Sequence, residues 1–349
     1  QFRYGKLEKK EILEFMTILQ HSIFVESQNN SRFIEAVCGG NMRMAREMFN
    51  TFLVSGTTDV DKMLAIYRAG GSYHVAFHEY VKSIMLMDRY YYRETDANPI
   101  MNIFECSTER NSSHFTSLRI LQVLSQHKSS YSIEGRGYIE LQKVLNEFEA
   151  TFDNIDDTVR AANRLVRWRL IEANTKSPDT VIGASHIRIT TSGFFYLSFL
   201  MKNFAYLDLV LQDTPINDPV VHGQLVGLVK DVDNLAGKNS ERIARLETRF
   251  RRVDAFLEYL RAQECDEIQR LEQLGTGSIF RHSFMTEIVD DFKMQREWIK
   301  KRLKENRSKQ EIVVDESSAV PELFDSSAYD PEDTSTAEVK KNTFQHPAG

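Results

Sequence analysis

The sequence predicts a mainly α-helical protein with a small β portion. Apolar residues recur at three- and four-residue spacing along most of the chain. Only two short stretches, "YSIEGRGYIEL" and "VIGASHIRITTSG", read as strands and turns, and from Pro219 the pattern is almost wholly helical. At 349 residues the chain is long enough for two or three modest domains with real cores. The net charge of −6 argues against a protein that coats nucleic acid over its whole surface. Cys38, Cys106 and Cys265 are odd in number and far apart, which fits a reducing cytoplasm and supplies neither a disulfide framework nor a zinc site. The most apolar window, Phe194 to Leu211, is interrupted by Lys202, Asn203 and Asp208 and reads as buried helix rather than a membrane span. The polar start "QFRYGKLEKKE" is unlike a signal peptide, and an opening Gln1 leads us to expect a chain that continues upstream.

Residues 1–93 read as a small helical bundle. Ile12, Met16, Leu19 and Ile23 mark a first stripe, with Leu13 and Phe24 widening it. A second helix from about Ser31 stops at Gly39-Gly40. Asn41 then caps a third, whose Met42, Ala45, Met48, Phe49 and Phe52 are expected to face inward and Arg43, Arg46, Glu47 and Asn50 outward. Thr58 with Asp61 suits the cap of a fourth helix, which carries Val60, Met63, Leu64 and Tyr67 and ends at Gly70-Gly71. A short extended piece, Tyr73 to Phe77, leads into a further helix ending near Met87.

Residues 94–113 read as a linker that opens with "ETDANP". Over 114–215 the order is helix, strand and turn, helix, helix, strand, turn, strand. The helices carry Leu118 and Leu121, then Leu141 and Phe148, then Val159 and Leu165, and Ile187 and Ile189 alternate on the last strand. That order is the order of a winged helix with a small β-wing. Over 216–310, Ile243, Leu246, Phe250, Val253, Leu257 and Leu260 repeat as a seam, so a helical coiled-coil arm is expected. Glu264 to Glu267 interrupts the seam, and Ile288, Phe292, Ile299 and Leu303 return as an antiparallel partner. Residues 311–349 are acidic, Ser/Thr-rich and poor in apolar content, as in a disordered tail.

Catalytic constellations are scarce. There is no G-x-x-x-x-G-K-[ST] loop to wrap nucleotide phosphates, and "EGRGYIELQK" has the wrong spacing for one. His74 and His78 offer at most two ligands, too few for a metal site. No Ser-His-Asp or Cys-His arrangement follows from spacing. The chain shows no active site of its own.

One stretch, "AVCGGNMRMAREMF", poses a question: a cation in the first turn of a helix opposes the macrodipole unless an anion is close by. Glycines permit close backbone approach, and free N–H groups beside Arg43 make an anion pocket. The run "GGNMR" resembles the sensor-2 motif on the lid helix of AAA+ and STAND-type P-loop ATPases, with Arg43 as the matching arginine and Gly40 and Asn41 preceding it. The resemblance covers about the first two hundred residues, where a helical lid precedes a winged helix as in several members of that class. It implies that Arg43 reaches the γ-phosphate of ATP and reports whether ATP or ADP is bound. The P-loop, the Walker B acid and the first sensor are absent, so ATP is implied only with an ATPase core lying upstream or on another chain. The alternative for Arg43 is a surface pair with Glu47, worth about 0.2–0.5 kcal/mol.

The third helix of the winged-helix region presents Arg160, Asn163, Arg164 and Arg167, with Arg169 just after, and His186 and Arg188 lie in the wing region. Arginines so placed contact phosphates and guanine edges. Asp156 and Asp157 at the helix start oppose a phosphate there, and an acidic protein surface, including the chain's own tail, suits the same face. The expectation is therefore the regulatory part of a cytoplasmic STAND- or AAA+-like ATPase, coupling nucleotide state to DNA or protein. Its rivals are a stand-alone winged-helix DNA-binding regulator that dimerises through its arm, and a non-catalytic scaffold.

Overall fold

The computed structural model describes residues 9–55, 60–71, 73–95, 99–107, 112–175, 177, 179–235, 241–275 and 278–313. The capping pair read at Thr58 and Asp61, and the tail beyond Val313, fall outside the described residues and side chains. Among the described residues are thirteen α-helices and five short strands, so the fold is mainly α with a small β portion.

The first five helices are α1 (Lys9–His21), α2 (Gln28–Cys38), α3 (Met42–Val54), α4 (Val60–Arg68) and α5 (Phe77–Leu86), with a π-helical turn at Ser22–Glu26 after α1. Phe33 on α2 packs edge-on against Phe77 and Tyr80 of α5, at ring-centre distances of 5.6 and 6.0 Å. The α1 stripe is rotated from the one expected. Phe15, Ile18, Leu19 and Ile23 are buried, whereas Ile12, Leu13 and Phe24 are exposed, because the helix packs along α4 and the π-helical turn rather than under a broad layer. Met42 is likewise exposed at the head of α3, and the inward positions are Met48 and Phe52.

Part of the stretch read as a linker is core. Ile100, Met101, Ile103 and Phe104 are fully buried. The Tyr206 hydroxyl accepts from Ile103 N at 2.9 Å and donates to Met101 O at 2.8 Å, and the Tyr196 hydroxyl accepts from Met101 N at 2.8 Å. An extended apolar segment has no ladder of its own, so these phenols satisfy its backbone.

Next come α6 (Thr116–Gln126), the hairpin β1 (Tyr131–Ser132) and β2 (Gly135–Arg136), β3 (Ile139–Glu140), α7 (Leu141–Phe152), α8 (Ile155–Arg167), β4 (Ile171–Ala173) and β5 (His186–Ile189). β3, β5 and β4 form an antiparallel sheet in that order, with Ile139 opposite Ile187 and Ile171 opposite Ile189. The window read as one buried helix is broken into α9 (Thr191–Ser198), a 3-10 turn at Leu200–Lys202 and α10 (Phe204–Val210). Asn203 makes the break by capping α10, accepting from Ala205 N at 2.9 Å.

α11 (Pro219–Asn234), α12 (Arg242–Gln273) and α13 (Phe284–Val313) complete the chain. Arg296 pairs with Asp254 at 2.6 Å and Lys300 with Glu247 at 3.4 Å, the antiparallel return expected. These helices do not stand apart as an arm. The seam residue Phe250 packs against Phe204 of α10 and Phe292 of α13, so the apolar stripe is covered within the chain. α12 also runs unbroken through Glu264 and Glu267. Both are buried and satisfied by distant partners, Glu264 by the backbone N–H groups of Phe284 and Met285 and Glu267 by Arg119. One contiguous apolar core runs from Phe15 to Phe292.

Candidate functional site

The α2–α3 turn is built by two left-handed glycines. Gly39 (φ +53°) ends α2, its N–H donating to Glu35 O at 3.0 Å, and Gly40 (φ +82°) carries the chain round to Asn41. The Asn41 side chain accepts from Met44 N at 3.2 Å and caps α3. Arg43 follows with its side chain 89% exposed, and its Nε lies 3.0 Å from Glu47 Oε1. The geometry at Arg43 is thus a surface pair, small in free energy and easily exchanged for another anion. Beneath the turn, burial pushes the Cys38 thiol up to about 11, so it stays protonated and unreactive at neutral pH.

On α8, Asn154 caps the helix start by accepting from Asp157 N at 3.0 Å, and Ala161, Ala162, Leu165 and Val166 turn inward. Arg160, Arg164 and Arg167 are therefore left on the outer face at helical spacing. Two of the three are already engaged. Arg160 reaches Asp157 at 2.5 Å and Glu105 at 3.3 Å. The Arg164 guanidinium donates to both oxygens of Glu94 at 2.8 Å, and it also pairs with Glu105. Burial pushes the Glu94 carboxyl up, while Arg164 and the Asn102 N–H oppose that shift. Asn163 is a structural latch: its side-chain oxygen accepts from Thr180 Oγ1 at 2.9 Å and Val181 N at 2.8 Å, holding the β4–β5 connection on α8. Arg167 is exposed and has no acidic partner among the described residues. A phosphate approaching this face would have to displace Glu94 and Glu105 from arginines that are only 35% and 15% exposed.

A second, open site lies at the other end of α8. A cleft of about 830 Å³ separates the α2–α3 turn from the sheet, and Gly39, Asn41, Lys128, Arg136, Arg169 and Arg188 are among its lining residues. Arg188 on β5 faces Glu172 across the strand pair and bonds to it at 2.6 Å, with its guanidinium 4.6 Å from the Tyr138 ring centre. Lys128 Nζ rests 3.9 Å above the Phe194 ring centre. The structure thus brings Asn41 and Arg188 to one cleft, while Arg43 points to Glu47 and Arg160 and Arg164 face Glu94 and Glu105. Lys128 and Arg136 have no counterpart in the motif reading, which places Arg169 just after the α8 stripe. The signal in the sequence is weak, a basic residue either side of the hairpin and an arginine just past α8.

No family model matches the chain, and no curated protein or solved structure is detectably similar to it.

Proposed function

We propose that the chain is the regulatory part of a P-loop ATPase of the STAND or AAA+ kind, acting in the cytoplasm. In this reading Arg43 senses the γ-phosphate of ATP on a core upstream or on another chain, and the region around β3–β5 works as a winged helix toward DNA or a protein. One observation supports the coupling: Gly39 and Asn41, in the turn that leads to Arg43, line the same cleft as the wing residue Arg188. A phosphate that draws the head of α3 therefore alters the wall facing Arg188. The exposed Arg43 loses only a weak surface contact to Glu47 when it reaches for a ligand. No helix among the described residues is long and apolar enough to cross a membrane.

The test is Arg43→Ala with the ATPase core present, in the same polypeptide or added. ATP-dependent binding of the partner should be lost while ADP binding changes less; normal switching would sink the reading. A nucleotide-free winged-helix regulator is the second reading, favoured by the pair that Arg43 already makes with Glu47. It requires Arg43→Ala to leave every binding property unchanged.

A further inference from the structure

We propose that the cleft beside the β1–β2 hairpin binds a nucleic acid by its phosphodiester backbone. The inference specifies the DNA partner of the winged region, yet it stands whether or not Arg43 senses a nucleotide. Four cationic side chains, Lys128, Arg136, Arg169 and Arg188, surround the cleft, against the single carboxylate of Glu172. Glu172 is taken by Arg188 at 2.6 Å. Lys128, Arg136 and Arg169 have no acidic partner among the described residues, in a chain whose net charge is −6. Like charges gathered round an open cleft repel one another, and a polyanion relieves that repulsion.

Arg169 sharpens the argument. α8 ends in a Schellman closure, with Leu170 N donating to Leu165 O at 2.8 Å and Arg169 N to Val166 O at 2.9 Å. The residue at the turn of this motif is left-handed, and Arg169 sits there at φ +61°. Glycine suits that position best, so an arginine is carried there against local backbone preference, with its side chain on the cleft wall. The hairpin supplies the second part of the surface. Gly137 (φ +80°) turns the chain where a β-carbon would stand 3.4 Å from Lys128 O, which keeps the base of the hairpin against the cleft wall. At the tip, Tyr131 is 79% and Ile133 94% exposed. An aromatic and an apolar side chain beside unpaired cations suit the flat faces of bases, which an acidic peptide does not offer. Guanidinium forks suit phosphate oxygens.

The experiment is fluorescence anisotropy on the full chain with labelled duplex and single-stranded oligonucleotides, competed by inorganic phosphate and by polyglutamate. Arg169→Gly is the central variant, because it removes the cation while relieving the backbone. We expect an equal or higher Tm, weaker oligonucleotide binding, and a slope of log affinity against log salt reduced by roughly 0.9. Adding Lys128→Gln and Arg136→Gln should lower affinity by at least on the order of tenfold at about 0.1 M salt. Tyr131→Ala should weaken oligonucleotide binding and leave polyglutamate unaffected. The proposal is overturned if the parent chain binds no oligonucleotide, or if Arg169→Gly and the triple variant bind as the parent does. It is also overturned if inorganic phosphate or polyglutamate competes as well as the oligonucleotide does, charge for charge.

Discussion

Arg252 grips Asp208 with two donors, Nε at 3.2 Å and Nη2 at 2.5 Å, and both side chains are almost fully buried. Arg249 holds the other carboxylate oxygen at 2.7 Å. The cluster joins α10 to α12 and explains why a helix with an arm-like sequence is fastened to the body.

Asp208→Asn should therefore destabilise the chain by about 3–5 kcal/mol, because it strands two guanidinium groups beside a neutral amide. Burial alone would raise the Asp208 carboxyl, yet Arg249 and Arg252 with their hydrogen bonds hold it below the usual carboxylate value. Its contribution is present above the unfolded carboxylate pKa and is lost as pH falls through the lower folded value. Urea unfolding of the parent and Asp208→Asn across the acid range checks both statements, since the variant should lack that part of the acid loss.

Arg164→Ala should lower stability by about 1–3 kcal/mol, since Glu94 is left partly buried without its counter-charge. The sequence reading placed Arg160, Arg164 and Arg167 together as a contact face for phosphates or an acidic protein surface. The pairs to Glu94 and Glu105 restrict that role to Arg167. A double-mutant cycle with Glu94→Gln should give a coupling of about 0.5–3 kcal/mol. Arg167→Ala should leave Tm unchanged, and a large drop in Tm would contradict this assignment.

His78 gives a pH signature of its own. Burial, then Arg249 and Lys82, pull its pKa from 6.5 down to about 4. The unfolded chain thus binds the proton more readily than the folded one. His78 adds no pH dependence above about 6.5, and stability falls from there toward pH 4, by at most about 1.4 kcal/mol per pH unit. His78→Gln should flatten the unfolding free energy over that window. An unchanged slope would remove His78 as the cause. The same neighbours make this histidine a poor metal ligand, as two cations stand beside it.

Gly193→Ala should be severely destabilising, by more than about 2 kcal/mol. A β-carbon there would lie 2.1 Å from Leu170 O and 3.0 Å from Ile189 Cγ1. Leu170 O is itself fixed by the N–H and hydroxyl of Thr190. Thermal unfolding of this single variant tests how tightly α9 must close on β4.

Local patterns were legible in the sequence where local chemistry decides the structure. Gly39 and Gly40 end α2, Asn41 caps α3, and the spacing of Ile288 and Phe292 announces the antiparallel return of α13. What escaped depends on partners far along the chain. Glu264 and Glu267 read as a break because carboxylates do not belong in an apolar seam, but Arg119 lies 148 residues from Glu267 and cancels its charge. Glu94 and Glu105 read as linker polarity, and no spacing rule connects them to Arg164. Of the residues singled out for function, Arg43 and Arg167 are exposed, Asn41 and Arg188 share a cleft, and Asn163 is a latch. Lys128, Arg136 and Arg169 come together only through the sheet and the hairpin, which periodicity does not reveal.

Glu264 has a bearing on the order in which the molecule assembles. Its carboxylate accepts from Phe284 N at 2.7 Å, Met285 N at 3.1 Å and Ser283 Oγ at 2.6 Å, so the first turn of α13 is closed by a residue of α12. Nucleating a helix is costly when its leading N–H groups lack partners. α13 therefore gains its firm beginning only once α12 has formed and docked, and its contacts should mature late. In refolding, substitutions at the start of α13 should speed unfolding more than they slow folding, giving low φ-values, while those in the middle of α12 should do the reverse.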